Sequence, residues 1–169
     1  MALVDVVAER IVEVVRVGAS RIAVCAVFRV SCEGWLKIEL LKSFCELFGH
    51  SETNGVLSES DHFDLVVKSD GQTARIELKT FPTNYGRSGK PIANFIDGVI
   101  RDLSKLCAHS GPTSIGLVVW MAYPIPEPLP KHWPEHLSKV QAASASTLRS
   151  ERIPIWEGNF AHLYIMRCR

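Results

Sequence analysis

Residues 62–81, HFDLVVKSDGQTARIELKTF, restrict the fold more than any other stretch, because two β-branched apolar runs meet there across Asp70-Gly71. An Asp-Gly pair supplies the positive φ angles that a two-residue hairpin turn requires, so the segment reads as two antiparallel strands. Leu65, Val66 and Val67 make the first strand apolar on both faces. On the second, Ile76 and Leu78 alternate with Arg75, Glu77 and Lys79, which leaves one face charged.

Period two sets Glu77 beside Lys79, and antiparallel pairing brings Asp64 of the neighbouring strand within reach of both. Two carboxylates so close repel each other and desolvate badly unless a cation lies between them, and oxygen ligands suit a hard ion such as Mg²⁺. The Lys79 ammonium then has a task of its own: to orient or deprotonate an attacking water, or to neutralise charge on a pentavalent phosphate.

The remaining sequence supports this hairpin. A chain of 169 residues, 47% hydrophobic and 22% charged, suits one soluble domain with a sizeable core. Its net charge of +1 does not mark a nucleic-acid binder, so any phosphate-binding surface must be a local patch. Cys25, Cys32, Cys45, Cys107 and Cys168 are odd in number and lack a C-x-x-C pair, which argues against a disulfide framework or structural zinc and for a cytoplasmic location. Charges from Asp5 to Arg29 interrupt the Val- and Ala-rich start, leaving neither a signal peptide nor a membrane span.

Residues 2–17 carry Leu3, Val7, Ile11, Val14 and Val15 at helical spacing up to Gly18, and 21–30 fit either a strand or a continued helix. Residues 1–30 therefore form an N-terminal packing extension, suited to dimerisation, before a domain over 31–169. Ser31 is the expected N-cap of a helix to about Phe48. One face holds Leu36, Lys37, Leu40, Leu41, Phe44, Leu47 and Phe48 with Glu33 near the middle, whereas Glu39, Lys42, Ser43 and Glu46 lie opposite. A glutamate in the first turn of a buried face is either a helix-dipole partner or a site residue.

Residues 49–60 read as a loop, and so do 81–91, whose Arg87 and Lys90 are placed to hold a nucleic-acid phosphate. The P-loop spacing fails there, since Gly86 and Gly89 are too close. Pro91 opens a helix to about Ala108 with polar positions Asn94, Asp97, Arg101, Asp102 and Lys105, some of which can lean toward the site. Ser114–Tyr123 is a central strand, four prolines make 124–130 an extended connector, a helix runs to about Arg149, and 160–166 is a closing strand. His132 and His136 spell H-x-x-E-H, but Pro134 belongs in a first helical turn, which would put His132 outside the helix and off the shared face.

Asp64 followed by Glu77-Leu78-Lys79 on the next strand resembles the PD-(D/E)XK nuclease superfamily. His62-Phe63 stand where that family often has proline, and Asp61 competes with Asp64 for the aspartate role. The order of elements from residue 31 to 123 resembles the family's α-β-β-α-β core after loss or blurring of its first strand. The resemblance implies an α/β, restriction-endonuclease-like three-layer domain with a central mixed sheet flanked by helices. It implies phosphodiester hydrolysis in nucleic acid, DNA by preference, with Mg²⁺ or Mn²⁺ held by Asp64, Glu77 and the Leu78 carbonyl. Lys79 would assist water or phosphate, and Glu33, preferred over Glu39, would complete the site. A homodimer or a specificity-supplying partner protein would select the target. Two other classes stay open: an inactive nuclease-fold module for binding or oligomerisation, with Glu77 and Lys79 merely ion-paired, and a zinc peptidase built on His132 and His136.

Overall fold

The computed structural model describes residues 2–51, 53–60, 62–83, 92–143 and 145–168. The hairpin forms as its turn chemistry dictates: β2 (Phe63–Ser69) pairs antiparallel with β3 (Gln72–Pro82), closing on Ser69 opposite Gln72. Asp70 and Gly71 take φ of 50° and 74°, both in the left-handed region that such a turn needs.

Ahead of it, residues expected as loop form β1 (Gly55–Ser60), which pairs with β2 from Gly55 opposite Lys68 to Ser60 opposite Phe63. An edge strand needs only one buried flank, so Val56 suffices and the polar residues around it leave no apolar period to read. Gly55, at φ 156°, makes the entry possible, since a Cβ there would lie 2.6 Å from Ser51 N.

Parallel strands need a crossover. α4 (Ile92–Ala108) supplies it, carrying the chain from β3 to β4 (Ser114–Pro126), which lies parallel to β3 from Thr73 opposite Ser114 to Pro82 opposite Tyr123. β4 runs on through two prolines expected in the connector, with a register shift between Ala122 and Ile125 that tolerates Pro124. The helix expected to reach Arg149 is shorter. α5 (Trp133–Ala142) ends early, and β5 (Ala145–Trp156) follows as the far edge strand, paired only with β6 (Asn159–Cys168). Few large apolar residues mark its Ala- and Ser-rich start, so neither helical nor strand period was visible there.

The described strands form one six-stranded mixed sheet in the order β1-β2-β3-β4-β6-β5. On one face lie α1 (Leu3–Val17), α2 (Ala19–Phe28) and α3 (Glu33–Phe48), whose buried side chains share a core with Leu65, Val67, Ile76 and Leu78. α4 and α5 cover the other face over Val66, Phe81, Val118 and Trp120. Residues 21–30 are thus mainly helical, and the N-terminal segment packs into the same core as the sheet. No helix among the described residues is long and apolar enough to cross a membrane.

α3 begins at Glu33 with Cys32 at its N-cap, while Ser31 Oγ accepts from the Glu33 N–H at 3.2 Å. The expected solvated face is only partly so. Ser43 is buried because it accepts a hydrogen bond from Arg10 of α1, and Leu47 is half exposed where no neighbour covers it.

Candidate active site

The site forms where the hairpin comes apart. The β2–β3 ladder ends at Leu65 opposite Ile76, although β3 continues for six more residues to Pro82. Alternation along β2 breaks at the same place: Leu65 and Val67 face α3, but Phe63 turns into the core under α4. Across from Asp64 on β1, Glu59 has a φ of 52°, a conformation that a residue with a Cβ rarely adopts. Among the described residues, no strand therefore lies against one edge of the upper half of β3.

Side chains fill that edge. Asp64 Oδ2 accepts from the Leu78 N–H at 2.8 Å, and Glu33 Oε2 accepts from the Thr80 N–H at 3.2 Å. Ser31 Oγ donates to the Thr80 carbonyl at 3.1 Å. Buried backbone groups must be paired, so these bonds replace the missing ladder. Because N–H and C=O of one strand residue leave on the same edge, the Leu78 carbonyl shares this gap.

On the α4 face of β3, Glu77 and Lys79 stand side by side and each meets an opposite charge. Glu77 Oε1 is paired with Lys105 Nζ, which also donates to the His62 carbonyl and sits 4.6 Å from the centre of the Phe63 ring. Lys79 Nζ lies 3.2 Å from Asp102 Oδ2. Asp102 and Lys105, three apart on α4, thus reach the two charged residues of the strand. Lys37 of α3 approaches from the other face, 3.5 Å from Asp64 Oδ1 and paired with Glu59.

These charges perturb one another. Burial pushes the Glu77 carboxyl up to about 7; the Lys105 ammonium opposes this, while the nearby Asp64 charge and a hydrogen bond shared with that carboxyl add to it. Burial likewise raises Glu33, against the Thr80 N–H and the Lys79 charge. For Lys79 burial works downward, but Asp102, with Glu33 and Asp64 beyond it, leaves the ammonium held above its ordinary value. Asp64 therefore acts on both Glu77 and Glu33, and Lys79, which stays charged, acts on Glu33 and Asp64 around one gap in the sheet.

Asp64, Glu77, Leu78, Lys79 and Glu33 are brought together here. Glu39 is not among them: it pairs with Arg21 at 3.0 Å, on the outer side of α3. Arg87, Lys90 and the alternative aspartate Asp61 lie outside the described residues. His132 is the N-cap of α5 and contacts Glu135 at 3.2 Å, and its carbonyl oxygen accepts from the His136 N–H at 3.2 Å, one turn on. Among the described residues no three or more His, Cys, Asp or Glu side chains are grouped to hold a metal ion. Lys37, which periodicity puts on the same α3 face as Glu33, and Glu59, which fell in a presumed loop, join the site without having been expected there. Compared with protein-family models, curated proteins and solved structures, the chain has no significant match in any of the three.

Proposed function

We propose that the protein is a metal-dependent nuclease of PD-(D/E)XK type, hydrolysing phosphodiester bonds in nucleic acid, with DNA the preferred substrate. The observation that carries the reading is the pair of carboxylates, Asp64 and Glu33, that accept from the parted edge of β3, with Glu77 acting on Asp64 and Lys79 on Glu33. Element order supports it: α3-β1-β2-β3-α4-β4 contains the strand that the resemblance lacked, with the Asp64 and Glu-x-Lys strands central. That order supports the reading of a restriction-endonuclease-like domain.

The donor chemistry fits a hard divalent cation. Burial, with the Asp64 charge adding to it, holds a proton on Glu77 near neutrality, and a lysine ammonium already rests on the oxygens of Glu77 and His62, the type of ligand Mg²⁺ or Mn²⁺ prefers. Asp64, Glu77 and the Leu78 carbonyl would hold the ion, and Glu33 would tune it. When bound, it lowers the pKa of water and neutralises phosphate charge. The chain's own contribution is positional: Asp102 fixes the Lys79 ammonium, which stays protonated and so serves to stabilise charge on the phosphate and orient the water.

One observation favours a second reading, a non-catalytic binding or oligomerisation module: Lys105 and Asp102 neutralise Glu77 and Lys79 with no other ion. Titration calorimetry with Mn²⁺ separates the two. Asp64→Asn with Glu77→Gln keeps the acceptor for the Leu78 N–H while removing both charges. Binding by the native chain that this variant loses, followed by cleavage of DNA or RNA that Lys79→Ala abolishes, supports the nuclease. Binding and cleavage absent from the native chain even with nucleic acid present would sink it.

A further inference from the structure

Two cysteines, Cys107 and Cys168, line one cavity near the C-terminal end of α4. Cys107 lies near the end of α4, and Cys168 Sγ, on β6, is 3.5 Å from the carbonyl oxygen of Leu103, one helical turn before Cys107. Gly116 of β4 makes the room. A Cβ there would stand 2.8 Å from Leu106 Cβ, 3.0 Å from Ser110 Oγ and 3.1 Å from Cys168 Sγ, so its absence lets the last turns of α4 and the Cys168 thiol converge on one spot. The cavity they line, of about 280 Å³ and shared with Ser110 and Ser114, opens the pair to small reagents. Burial pushes the Cys168 thiol up to about 12, helped by a hydrogen bond with Cys107. Cys107 is only partly buried and is the thiol that reacts first.

We propose that Cys107 and Cys168 form an oxidation-responsive pair that closes into a disulfide, tying α4 to β6, when the protein meets a low-molecular-weight disulfide such as oxidised glutathione. The Cys107 thiol loses its proton to solvent; its sulfur attacks one glutathione sulfur and expels a glutathione thiolate. The Cys168 thiolate, its proton likewise lost, attacks the Cys107 sulfur of the mixed disulfide and expels the second. Two thiols are oxidised, one glutathione disulfide is reduced to two glutathiones, and these take up the two protons. The resting dithiol suits a reducing compartment; the tie forms when that compartment turns oxidising. α4 also carries Asp102 and Lys105, so the tie stiffens the helix that steadies the candidate site, although the pairing does not depend on the nuclease reading.

The whole chain is treated with oxidised glutathione, then followed by intact mass, unreduced peptide mapping and thermal unfolding. The mass should fall by two hydrogens, one peptide should join residues 107 and 168, and Tm should rise by roughly 10 °C, because the bond closes a long loop. Dithiothreitol should reverse all three. Cys107→Ser and Cys168→Ala should each lose the cross-link; the first, at a partly exposed position, keeps the test valid should the second misfold. Failure to react, a lasting glutathione adduct on Cys107, or a bond among Cys25, Cys32 and Cys45 instead would overturn the proposal.

Discussion

Glu77 is the residue at which the candidate site should cost the fold most, and Glu77→Gln measures that cost. Its side chain is 9% exposed, and its carboxyl is pushed up to about 7 from an ordinary 4.5, by burial first and Asp64 after it. A carboxyl that holds its proton more tightly when folded stabilises the protein in acid; the benefit is complete below about 4.5 and is lost as pH rises through about 7. Above that, the folded state carries an unfavourable charge worth about 3 kcal/mol. Glutamine reproduces the protonated form, able to donate toward Asp64 and accept from Lys105. In urea denaturation at pH 8 the variant should exceed the native chain by up to about 3 kcal/mol at unchanged m, or roughly 10 °C in Tm. The gap should shrink steadily toward pH 5. Mn²⁺ should then raise the native chain alone. A variant less stable at pH 8, or a gap that ignores pH, would refute the reasoning.

The other expectations concern the neighbours of that carboxylate. Lys105→Met removes the ammonium resting on Glu77 while keeping an apolar stem against Phe63, and Mn²⁺ affinity by calorimetry should rise about tenfold; unchanged affinity would mean that the lysine does not compete for the site. Gly116→Ala fills the notch under α4 and should destabilise by about 1–3 kcal/mol in urea, since Leu106 and Cys168 must both give way. Asp102→Asn should lower Tm by about 2–4 °C, because the pair it breaks is largely buried; it should slow cleavage by releasing Lys79, and an unchanged rate would remove Asp102 from the positioning of the ammonium.

The hairpin was legible because everything that makes it is local: Asp70-Gly71 sets the turn, and strict alternation then puts Glu77 and Lys79 on one face whatever the rest of the chain does. The edge strands were not. β1 and β5 each have a single neighbour, so a few buried side chains hold them and their polar remainder resembles loop or helix. The parting at Asp64 was equally hidden, resting on positive φ at Glu59 and His62, neither of them a residue that announces it. Asp102 and Lys105 were visible as polar helix positions, but which way they lean is settled by the packing of α4 on β3, not by spacing along α4. Ser43 shows the reverse error: helical periodicity placed it in solvent, and one arginine from α1 covers it.

Asp64 holds the open edge of β3 through Leu78 as well as facing Glu77. A saturation library at this position should therefore split by assay rather than by severity. Selection for folding alone should keep asparagine beside aspartate and reject alanine, whereas selection for chemistry should keep aspartate only. Such a chain that drifted out of use as an enzyme would carry asparagine here long after losing its other acids, because the backbone of Leu78 still asks for an acceptor.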